Sequence, residues 1–429
     1  MNHRITRRTF TVGMAAAGVG LASRRSAAGA LSANERIRVG VIGCRNRGHQ
    51  VAAIFARTGR FEIVSLCDCD DAMLQRALKE LDGQLPRKPD TQRDFRKLLD
   101  DGSIDAIVNA TPDHWHALIT VTALDAGKHV YTEKPLSHNI RDGQAMVAAA
   151  RRHPKLTALV GTQHRSGPHF LEAKSFIDSG GLGKIGFARG WFVVDRGVVP
   201  IVPDSKPPAG FDYDLWVGPA PFRPYNENCV HYNWHFIKDF GTGDMGNWGA
   251  HWLDSIRHLA GLGVPRAVMA TGGTYIVRDA KEWPDTQTVL YEYPEMTLVW
   301  ELREWCPYGV NGTGGAVEIS GEKGTLIIDR DGWTFHPFKG EPQRHRGSDQ
   351  QVPHAKHFAD CIAGQAQPSA SIEEGHKSCV LIHLGNMATL TRRRLEWDES
   401  AETITNEPEA AKLLGREYRA PWKLPYGKV

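Results

Sequence analysis

The sequence has few cysteines, no long apolar run and no internal repeat. Its seven cysteines are an odd number, and Cys67 and Cys69 have no second closely spaced pair to complete a zinc site. A disulfide framework is therefore not expected. No stretch approaches the ~18 apolar residues that a membrane-spanning helix needs, so we expect a soluble mature protein.

Residues 1–30 have the composition of a targeting segment rather than of folded structure. They carry the pair Arg7-Arg8, a short apolar run and a small-residue cleavage site ending at Ala30, which predicts a twin-arginine export signal. The alternative is an ordinary basic N-terminus. The prediction places the mature chain in the periplasm and makes the twin-arginine export machinery a partner.

Removal of that segment also removes the excess of positive charge. The segment holds five arginines and no acid, so 52 − 5 = 47 basic residues remain against 49 acidic ones, and the formal charge changes from +3 to −2. Nothing then indicates nucleic-acid binding. The remaining chain of about 400 residues is long enough for two domains.

Strand and helix patterns alternate between residues 31 and 161. Apolar, β-branched runs are each followed by an amphipathic helical stretch, which is the arrangement of βαβ units around a parallel sheet. The predicted strands are 37–42, 62–67, 104–110, 129–132 and 156–160. We therefore predict that residues 31–161 form one α/β domain.

Residues 162–429 follow a different pattern. The proline-rich stretch 200–225 has no periodicity and is typical of a functional loop. Residues 244–261 predict one continuous helix, and four strand-like runs between 286 and 329 predict a mainly antiparallel sheet. A last helix over 371–393 is expected to pack back on the first domain.

The stretch GVIGCRNRG, residues 40–48, resembles a dinucleotide-binding turn. A strand runs into Gly43 and a helix begins near Gly48, but Arg45 stands where the G-x-G-x-x-G pattern has its middle glycine. Asp68, at the end of the next strand, is placed to accept hydrogen bonds from a ribose diol and to repel a 2′-phosphate. Together they predict a Rossmann domain that binds NAD in preference to NADP.

Two further polar stretches follow strands of the predicted parallel sheet. In TPDHWHA, His116 lies about one turn into a helix that begins near Pro112, although a packing role is the alternative. In YTEKPLS, Glu133 and Lys134 follow a strand directly, at the edge where ligands bind to such sheets. A lysine there can stabilise the oxyanion that grows as a hydride moves.

These stretches, in this order, resemble the Gfo/Idh/MocA family of sugar and polyol dehydrogenases. The resemblance implies a Rossmann domain followed by an α/β domain with a large, open, mainly antiparallel sheet. In the family's third motif, here GTGDMGNWGAHWLD, His251 and Asp254 fit but Asn247 replaces an aspartate. An amide cannot accept a proton, so His251 becomes the leading general base, with Asp244 as an alternative carboxylate.

A cluster of histidines and aromatic residues precedes that motif. His231 and His235 have the i, i+4 spacing that could hold a metal on a helix. No third ligand accompanies them, and the family does not generally need a metal, so we expect none. Contacts with the C–H faces of a sugar are the preferred role for this cluster.

The residues expected to have roles form three groups. The catalytic group is Lys134, His251 and Asn247. The cofactor-binding group is Gly43, Arg45, Asn46, Arg47, Gly48, Asp68, Thr111, Pro112, His116, Glu133 and Lys134. The substrate-binding group is Trp115, Gln163, His164, Tyr232, Trp234, His235, Asp244 and Trp248.

Export and cofactor use together constrain the reaction. Because soluble NAD is scarce outside the cytoplasm, we predict a tightly bound NAD that is regenerated within the site. The predicted reaction is oxidation of a secondary hydroxyl, at C3 of a sugar or glycoside, with the hydride passed to a second substrate. Redox-neutral NAD-dependent glycoside hydrolysis and cofactor-loaded sugar binding without turnover stay open as alternatives. A homo-oligomer, dimer or tetramer, is expected.

Overall fold

A computed structural model describes residues 36–426, so the predicted export signal lies outside the described residues. The first half of this range alternates strands and short helices. Its elements are β1 (Ile37–Ile42), α1 (Asn46–Arg57), β2 (Phe61–Cys67), α2 (Asp71–Glu80), β3 (Asp90–Gln92), α3 (Arg96–Asp100), β4 (Ala106–Asn109), α4 (Asp113–Asp125), β5 (His129–Thr132), α5 (Ile140–Arg152) and β6 (Ala158–Val160).

Six parallel strands form the first sheet, in the order β3-β2-β1-β4-β5-β6. This is the strand order of the doubly wound dinucleotide-binding fold. Every residue of β2 and β4 is buried, as expected for strands that helices cover on both faces. The predicted parallel sheet is confirmed, and the carboxyl ends of β1, β2, β4 and β5 meet along one edge.

The second half contains a larger sheet and the remaining helices. In chain order its elements are α6 (Pro168–Asp178), β7 (Ile185–Val193), α7 (Tyr213–Val217), α8 (Gly243–Asn247), α9 (Gly249–Ala260), β8 (Ala267–Gly273), β9 (Thr286–Glu292), β10 (Thr297–Arg303), β11 (Gly315–Gly321), β12 (Gly324–Ile328), β13 (Gly332–Pro337), β14 (Gln343–Arg346), α10 (Gln351–Ile362), α11 (Ile372–Thr391), β15 (Leu395–Asp398), β16 (Thr403–Ile404) and α12 (Pro408–Ala411).

The second sheet has ten strands in the order β14-β13-β12-β11-β7-β10-β9-β8-β15-β16. All its pairings are antiparallel except that of β10 with β7. The predicted mainly antiparallel sheet is therefore confirmed. Helices α9 and α11 pack on this sheet, and α11 also contacts α5 and β6 of the first sheet. No helix within residues 36–426 is long and apolar enough to cross a membrane.

The expectation of one continuous helix over 244–261 is wrong. The chain forms α8 and then α9, with a break at Trp248, whose φ and ψ are −106° and −35°. The amide of His251 donates to the carbonyl of Trp248 at 2.9 Å, three residues back, and not to that of Asn247. The break therefore leaves the carbonyl group of Asn247 outside the regular helical pattern, which matters for the site.

Candidate active site

A cleft of about 1200 Å³, open to solvent, lies at the carboxyl edge of the parallel sheet. Its walls come from the loops that follow β1, β2, β4 and β5 and from the segment between β7 and α8. The cleft contains fourteen of the predicted site residues: Gly43, Arg45, Asn46, Arg47, Asp68, Thr111, Pro112, Trp115, Glu133, Lys134, Tyr232, Trp234, His235 and Asn247. Ligand binding at this edge is the general rule for such sheets.

The turn after β1 is shaped by two glycines and not by three. Gly43 has a φ of +84°, and a Cβ atom there would lie 2.6 Å from the carbonyl oxygen of Ala110. A Cβ atom on Gly48 would overlap the carbonyl oxygen of Gly43. The two glycines bring the strand close to the N-terminus of α1, whose free N–H groups are suited to a pyrophosphate.

Arg45 points into the cleft from the same turn. Its guanidinium carbon lies 5.8 Å from the ring centre of Tyr232, which belongs to the opposite wall. Burial and the neighbouring Arg76 lower the pKa of this arginine, but the group stays charged. The side chain that replaces the middle glycine therefore spans the cleft.

Asp68 is held rigidly at the end of β2. Its Oδ2 atom accepts a hydrogen bond from the Cys44 N–H at 2.8 Å, and its Oδ1 atom accepts one from the Asp70 N–H at 3.1 Å. Burial raises the pKa of Asp68 to about 6, while these backbone N–H groups oppose the shift. Each oxygen keeps a free lone pair, so the carboxylate can still accept the two hydroxyls of a ribose.

Lys134 lies at the other end of the cleft, where β5 ends. Its Nζ atom donates to the side-chain oxygen of Asn247 at 2.7 Å and to the main-chain oxygen of the same residue at 2.9 Å. Burial lowers the pKa of Lys134, whereas the carboxylates of Glu133 and Asp113 oppose that shift. An ammonium group has three donors, so one proton is left for a substrate oxygen.

Two acids accompany Lys134. The Oε1 atom of Glu133 lies 2.6 Å from Nε of Arg47, which links the end of β5 to the first turn of α1. Asp113 is buried and accepts from the Thr242 hydroxyl at 2.8 Å, and its second oxygen has no partner within the described residues. Burial raises the pKa of Asp113. Asp113 was not among the site residues predicted from the sequence, although its position next to Pro112 could have indicated that it belongs to the site.

The predicted general base, His251, lies behind the cleft wall rather than on it. Its ring centre is 5.1 Å from that of His164, and its Nδ1 atom is buried without a partner in the described chain. Burial, and after it the positive charge of Lys134, lowers the pKa of His251 well below its ordinary value. The imidazole is therefore neutral at working pH, and its role as a base stays a prediction.

Several other predicted residues support the site without lining the cleft. The ring nitrogens of His116 lie 2.7 Å from the carbonyl oxygen of Pro135 and 2.9 Å from that of Thr111, so this histidine joins two loops instead of facing a cofactor. Trp248 stacks on Phe192 at 4.4 Å. The remaining residues outside the cleft lining are Gly48, Gln163, His164 and Asp244.

Trp115 lines the cleft, but its polar atom is already used. The indole N–H donates to the carbonyl oxygen of Trp216 at 2.9 Å, and the ring packs edge-on against Phe95 at 5.4 Å. Phe95 follows β3, four strands away from β5 in the sheet. Trp115 therefore lies with the residues that follow β3, which favours contact with the cofactor over contact with a substrate beside Lys134.

The segment 199–241, here called the strap, forms the wall opposite the sheet edge. It has a small core of its own that includes Phe211, Trp216 and Phe240. Main-chain bonds tie it to the Rossmann domain, among them Asp212 N to Cys69 O at 2.9 Å. The strap brings Tyr232, Trp234 and His235 into the cleft, and their contact with a substrate stays a prediction.

His231 and His235 are not on one helix, so the metal-site spacing that they suggested is wrong. Only Asn233–Phe236 form a short 3₁₀ turn, and His231 lies before it. The Nε2 atom of His231 lies 2.7 Å from Oδ2 of Asp70, beside α2. Within residues 36–426 no group of three metal-ligating side chains occurs.

The residues around the cleft fit a dinucleotide. The two glycines form the close turn that such a site needs. The free N-terminus of α1 suits the pyrophosphate, and the Asp68 carboxylate suits the ribose. Fold and site together define a nucleotide-dependent oxidoreductase whose cleft also contains Lys134.

Family models agree with that class. A model for an oxidoreductase family with an NAD-binding Rossmann fold matches residues 37–162. A model for the C-terminal alpha/beta domain of the same oxidoreductase family matches residues 183–270 and 323–424. The matched ranges cover more than half of the chain. The protein belongs to the Gfo/Idh/MocA family of NAD-binding oxidoreductases, so the predicted family and cofactor are confirmed.

Individual relatives act on sugars. A levoglucosan dehydrogenase of Pseudarthrobacter phenanthrenivorans is 29% identical over 180 residues, which are 42% of this chain and 39% of that relative. An alpha-N-acetylgalactosaminidase of Shewanella oneidensis is 30% identical over 125 residues, which are 28% of this chain and 27% of the relative. The matched stretches thus span less than half of each relative.

Solved structures establish the fold over a longer range. Levoglucosan dehydrogenase in complex with NADH and levoglucosan superposes with a TM-score of 0.67 at 19% identity. The superposition covers 84% of this chain and 99% of that one. The agreement confirms the predicted fold class.

Proposed function

We propose that this protein is an exported oxidoreductase that oxidises a secondary hydroxyl of a sugar or glycoside, at C3, with a tightly bound NAD. The observation that carries the proposal is the Lys134 ammonium group, which lies in the same cleft as Asp68 and keeps one donor free. NAD, when bound, supplies the hydride acceptor. The levoglucosan dehydrogenase similarity supports a carbohydrate substrate.

The chain's own residues would bind the hydroxyl and move its proton. The free donor of Lys134 stabilises the alkoxide that forms as the hydroxyl is deprotonated. We assign the proton to His251, which is neutral; because it lies behind the cleft wall, the proton reaches it by relay and not by direct contact with the hydroxyl, and burial disfavours its protonated form. Tyr232, Trp234 and His235 offer ring faces for the apolar side of a sugar.

Retention of the cofactor is the second part of the proposal. The strap reaches over the cleft and is joined to the Rossmann domain by the His231–Asp70 contact and by main-chain bonds. Arg45 adds a contact with Tyr232 from the facing wall. Such an enclosure favours slow exchange of the cofactor, which suits an enzyme that releases a ketone and then passes the hydride from the cofactor to a second substrate in the same site.

A second candidate is redox-neutral, NAD-dependent glycoside hydrolysis. The 30% identity with an alpha-N-acetylgalactosaminidase favours it. In this reaction a 3-keto sugar acidifies the C2 proton, the aglycone at C1 is eliminated, water adds, and reduction restores the C3 alcohol. Both candidates begin with the same oxidation at the same lysine.

One experiment separates the candidates. The purified protein is denatured and its released nucleotide is identified; the intact protein is then offered a panel of glycosides in deuterated water. A keto sugar together with reduced cofactor supports the oxidoreductase, whereas deuterium at C2 with aglycone release supports the hydrolase. The Lys134→Met variant removes the donor from the cleft, and Lys174→Met, at an exposed pair with Asp178, is the matched control. Absence of both products from the wild-type protein would refute an enzymatic role and leave sugar binding.

A further inference from the structure

The carboxylate nearest to Lys134 on α8 is separated from it by a single amide group. The side-chain nitrogen of Asn247 donates to Oδ1 of Asp244 at 3.0 Å, and the side-chain oxygen of Asn247 accepts from Nζ of Lys134 at 2.7 Å. An amide's oxygen and nitrogen differ in hydrogen-bond character, so a carboxylate on one side and an ammonium on the other permit only one orientation. Asp244 therefore fixes which atom of Asn247 faces the lysine.

The break between α8 and α9 contributes the second contact. The carbonyl group of Asn247 lies at the end of α8, and the His251 N–H that a continuous helix would direct to it bonds to Trp248 instead. This carbonyl oxygen accepts from Lys134 at 2.9 Å. Two oxygens of one residue thus hold two of the three donors of the ammonium group and set the direction of the third.

Arg196 brings a positive charge to the buried carboxyl group of Asp244. Its Nε atom lies 2.8 Å from Oδ2 of Asp244, and its NH2 group donates to the Tyr232 hydroxyl at 2.9 Å. Burial raises the pKa of Asp244, while Arg196 and Lys134 oppose the shift. The ionised form of Asp244 is thus stabilised by two neighbouring positive charges, and loss of either partner would leave a buried ion without full compensation.

The same geometry explains why an amide stands at position 247. A carboxylate there would approach Asp244 to about 3.0 Å, the present distance between Asn247 Nδ2 and Asp244 Oδ1. Two carboxylates at that separation cannot both ionise, and one of them would take up a proton. The charge therefore lies at residue 244 and the neutral contact at residue 247.

We propose that Asp244 is a positioning residue for Lys134, acting through the amide of Asn247 to orient the ammonium group and adding a more distant negative charge to those of Glu133 and Asp113. The inference rests on the proposed function only in taking Lys134 as the group that meets the substrate. Asp244 touches neither the cleft nor a substrate, so its effect is indirect.

Other charged groups also act on Lys134 and Asp244, and they must be left unchanged in any test. Those that face Lys134 are Glu133, Asp113, Arg47 and Arg330, with the neutral rings of His235 and His251 nearby. Those that face Asp244 are Arg196, Lys134, Lys281 and Glu304.

The test measures how the reactivity of the Lys134 amine depends on pH. The protein as purified, with its own cofactor, is labelled with acetic anhydride between pH 6 and pH 11, and the modified fraction of Lys134 is measured by mass spectrometry against exposed Lys339. The variants are Asp244→Asn, which removes the charge but keeps an acceptor, Asn247→Asp, and the double exchange Asp244→Asn with Asn247→Asp. Glu402→Gln, which alters a carboxylate paired with His376, is the control.

The single and the double variant should shift the pH midpoint of Lys134 labelling in opposite directions. Asp244→Asn lowers the pH midpoint of Lys134 labelling by about one unit, and the double exchange raises it by about one unit because the carboxylate then contacts Nζ directly. The double exchange also turns over substrate faster than Asn247→Asp, in which two carboxylates compete. Glu402→Gln leaves the midpoint at the wild-type value.

Unchanged midpoints in Asp244→Asn and in the double exchange would overturn the proposal. If Asp244→Asn does not fold because Arg196 loses its partner, Asn247→Leu decides instead, since it keeps the Asp244–Arg196 pair and removes the amide that links Asp244 to Lys134. Its midpoint should fall, and a midpoint equal to that of the wild type would contradict the inference. Shifted midpoints in a protein that oxidises no sugar would refute the proposed function and leave the positioning role intact.

Discussion

The Nε2 atom of His231 lies 2.7 Å from Oδ2 of Asp70, and this contact joins the strap to the Rossmann domain two residues from Asp68. Asp70 is also the N-cap of α2, since its Oδ1 atom accepts from Ala72 N at 2.8 Å. The carboxylate is thus fixed on one side by a helix and is free to hold the strap on the other. The contact lies beside Asp68, the expected ribose acceptor. We call it the latch, because it holds the strap over the end of the cleft where the adenosine part of NAD would bind.

Loss of this latch should accelerate release of the cofactor. In His231→Leu we expect NAD to dissociate about tenfold faster, because a hydrogen bond to a charged group contributes ~1.5 kcal/mol and 1.4 kcal/mol is a factor of ten. The rate is measured by trapping released NAD with an excess of a soluble dehydrogenase. His345→Leu removes a histidine paired with Glu172 outside the cleft and should leave the rate unchanged. Equal rates in both variants would contradict the latch.

Affinity for NAD should fall in acid. Burial raises the pKa of Asp68 to about 6, so the carboxylate is charged above that pH and protonated below it. Ribose hydroxyls bind the charged form better, and we expect affinity to fall on the order of tenfold between pH 6 and pH 5. Titration of cofactor-free protein with NADH, followed by fluorescence, measures this. Asp68→Asn should bind weakly at every pH; a flat profile in the wild type would count against Asp68 as the ribose acceptor.

Gly48 should tolerate no side chain. A Cβ atom there would overlap the main-chain carbonyl oxygen of Gly43, and the two residues belong to one turn, so they cannot move apart independently. Because the Cβ atom is fixed to the main chain of the same turn, we expect Gly48→Ala to retain NAD about tenfold less well or worse, a loss of ~1.4 kcal/mol, and to unfold at a lower temperature. Gly102→Ala, where a Cβ meets no atom within 4 Å, is the control. Wild-type NAD content in Gly48→Ala would show that the turn adapts.

The sequence predicted the parts of the site that follow local rules. Strand ends located Asp68 and Lys134 in one cleft because parallel strands direct their carboxyl ends to the same edge. The break at Trp248 was missed, since the apolar spacing of 244–261 fits one helix and nothing local ends it. The contact of Asp244 with Arg196 joins residues of different segments of the chain, and no sequence periodicity predicts such a pair.

The position of the strap also could not be predicted from the sequence. Its irregular, proline-rich sequence predicted a functional loop, but its position depends on bonds to distant residues such as Cys69 and on its own aromatic core. His231 and His235 suggested a metal only because their spacing was read as helical, whereas the chain there forms a short 3₁₀ turn. His231 is held by a contact with Asp70, 161 residues away, whereas His235 bonds to the carbonyl oxygen of Tyr232, three residues away.

Export should depend on the arginine pair at the start of the chain. Twin-arginine recognition requires both guanidinium groups, so Arg7→Lys with Arg8→Lys should leave the precursor inside the cell, folded and loaded with NAD. Cell fractionation followed by immunoblotting measures the location. Arg24→Lys with Arg25→Lys changes a second pair behind the apolar run and should be exported. Periplasmic protein from the first variant would refute this route.

Arg45 is the residue that departs most clearly from the usual glycine pattern, and its contact with Tyr232 gives the departure a function. A half-buried cation–π contact contributes ~1 kcal/mol, so Arg45→Gly, which restores the usual glycine, should release NAD about fivefold faster. Arg45→Lys keeps the charge without the planar group and should give an intermediate rate. The dissociation rate measured for the latch variant serves here as well. Because glycine would also ease close approach of the pyrophosphate, a slower release from Arg45→Gly would mean that the turn, and not the contact across the cleft, controls retention.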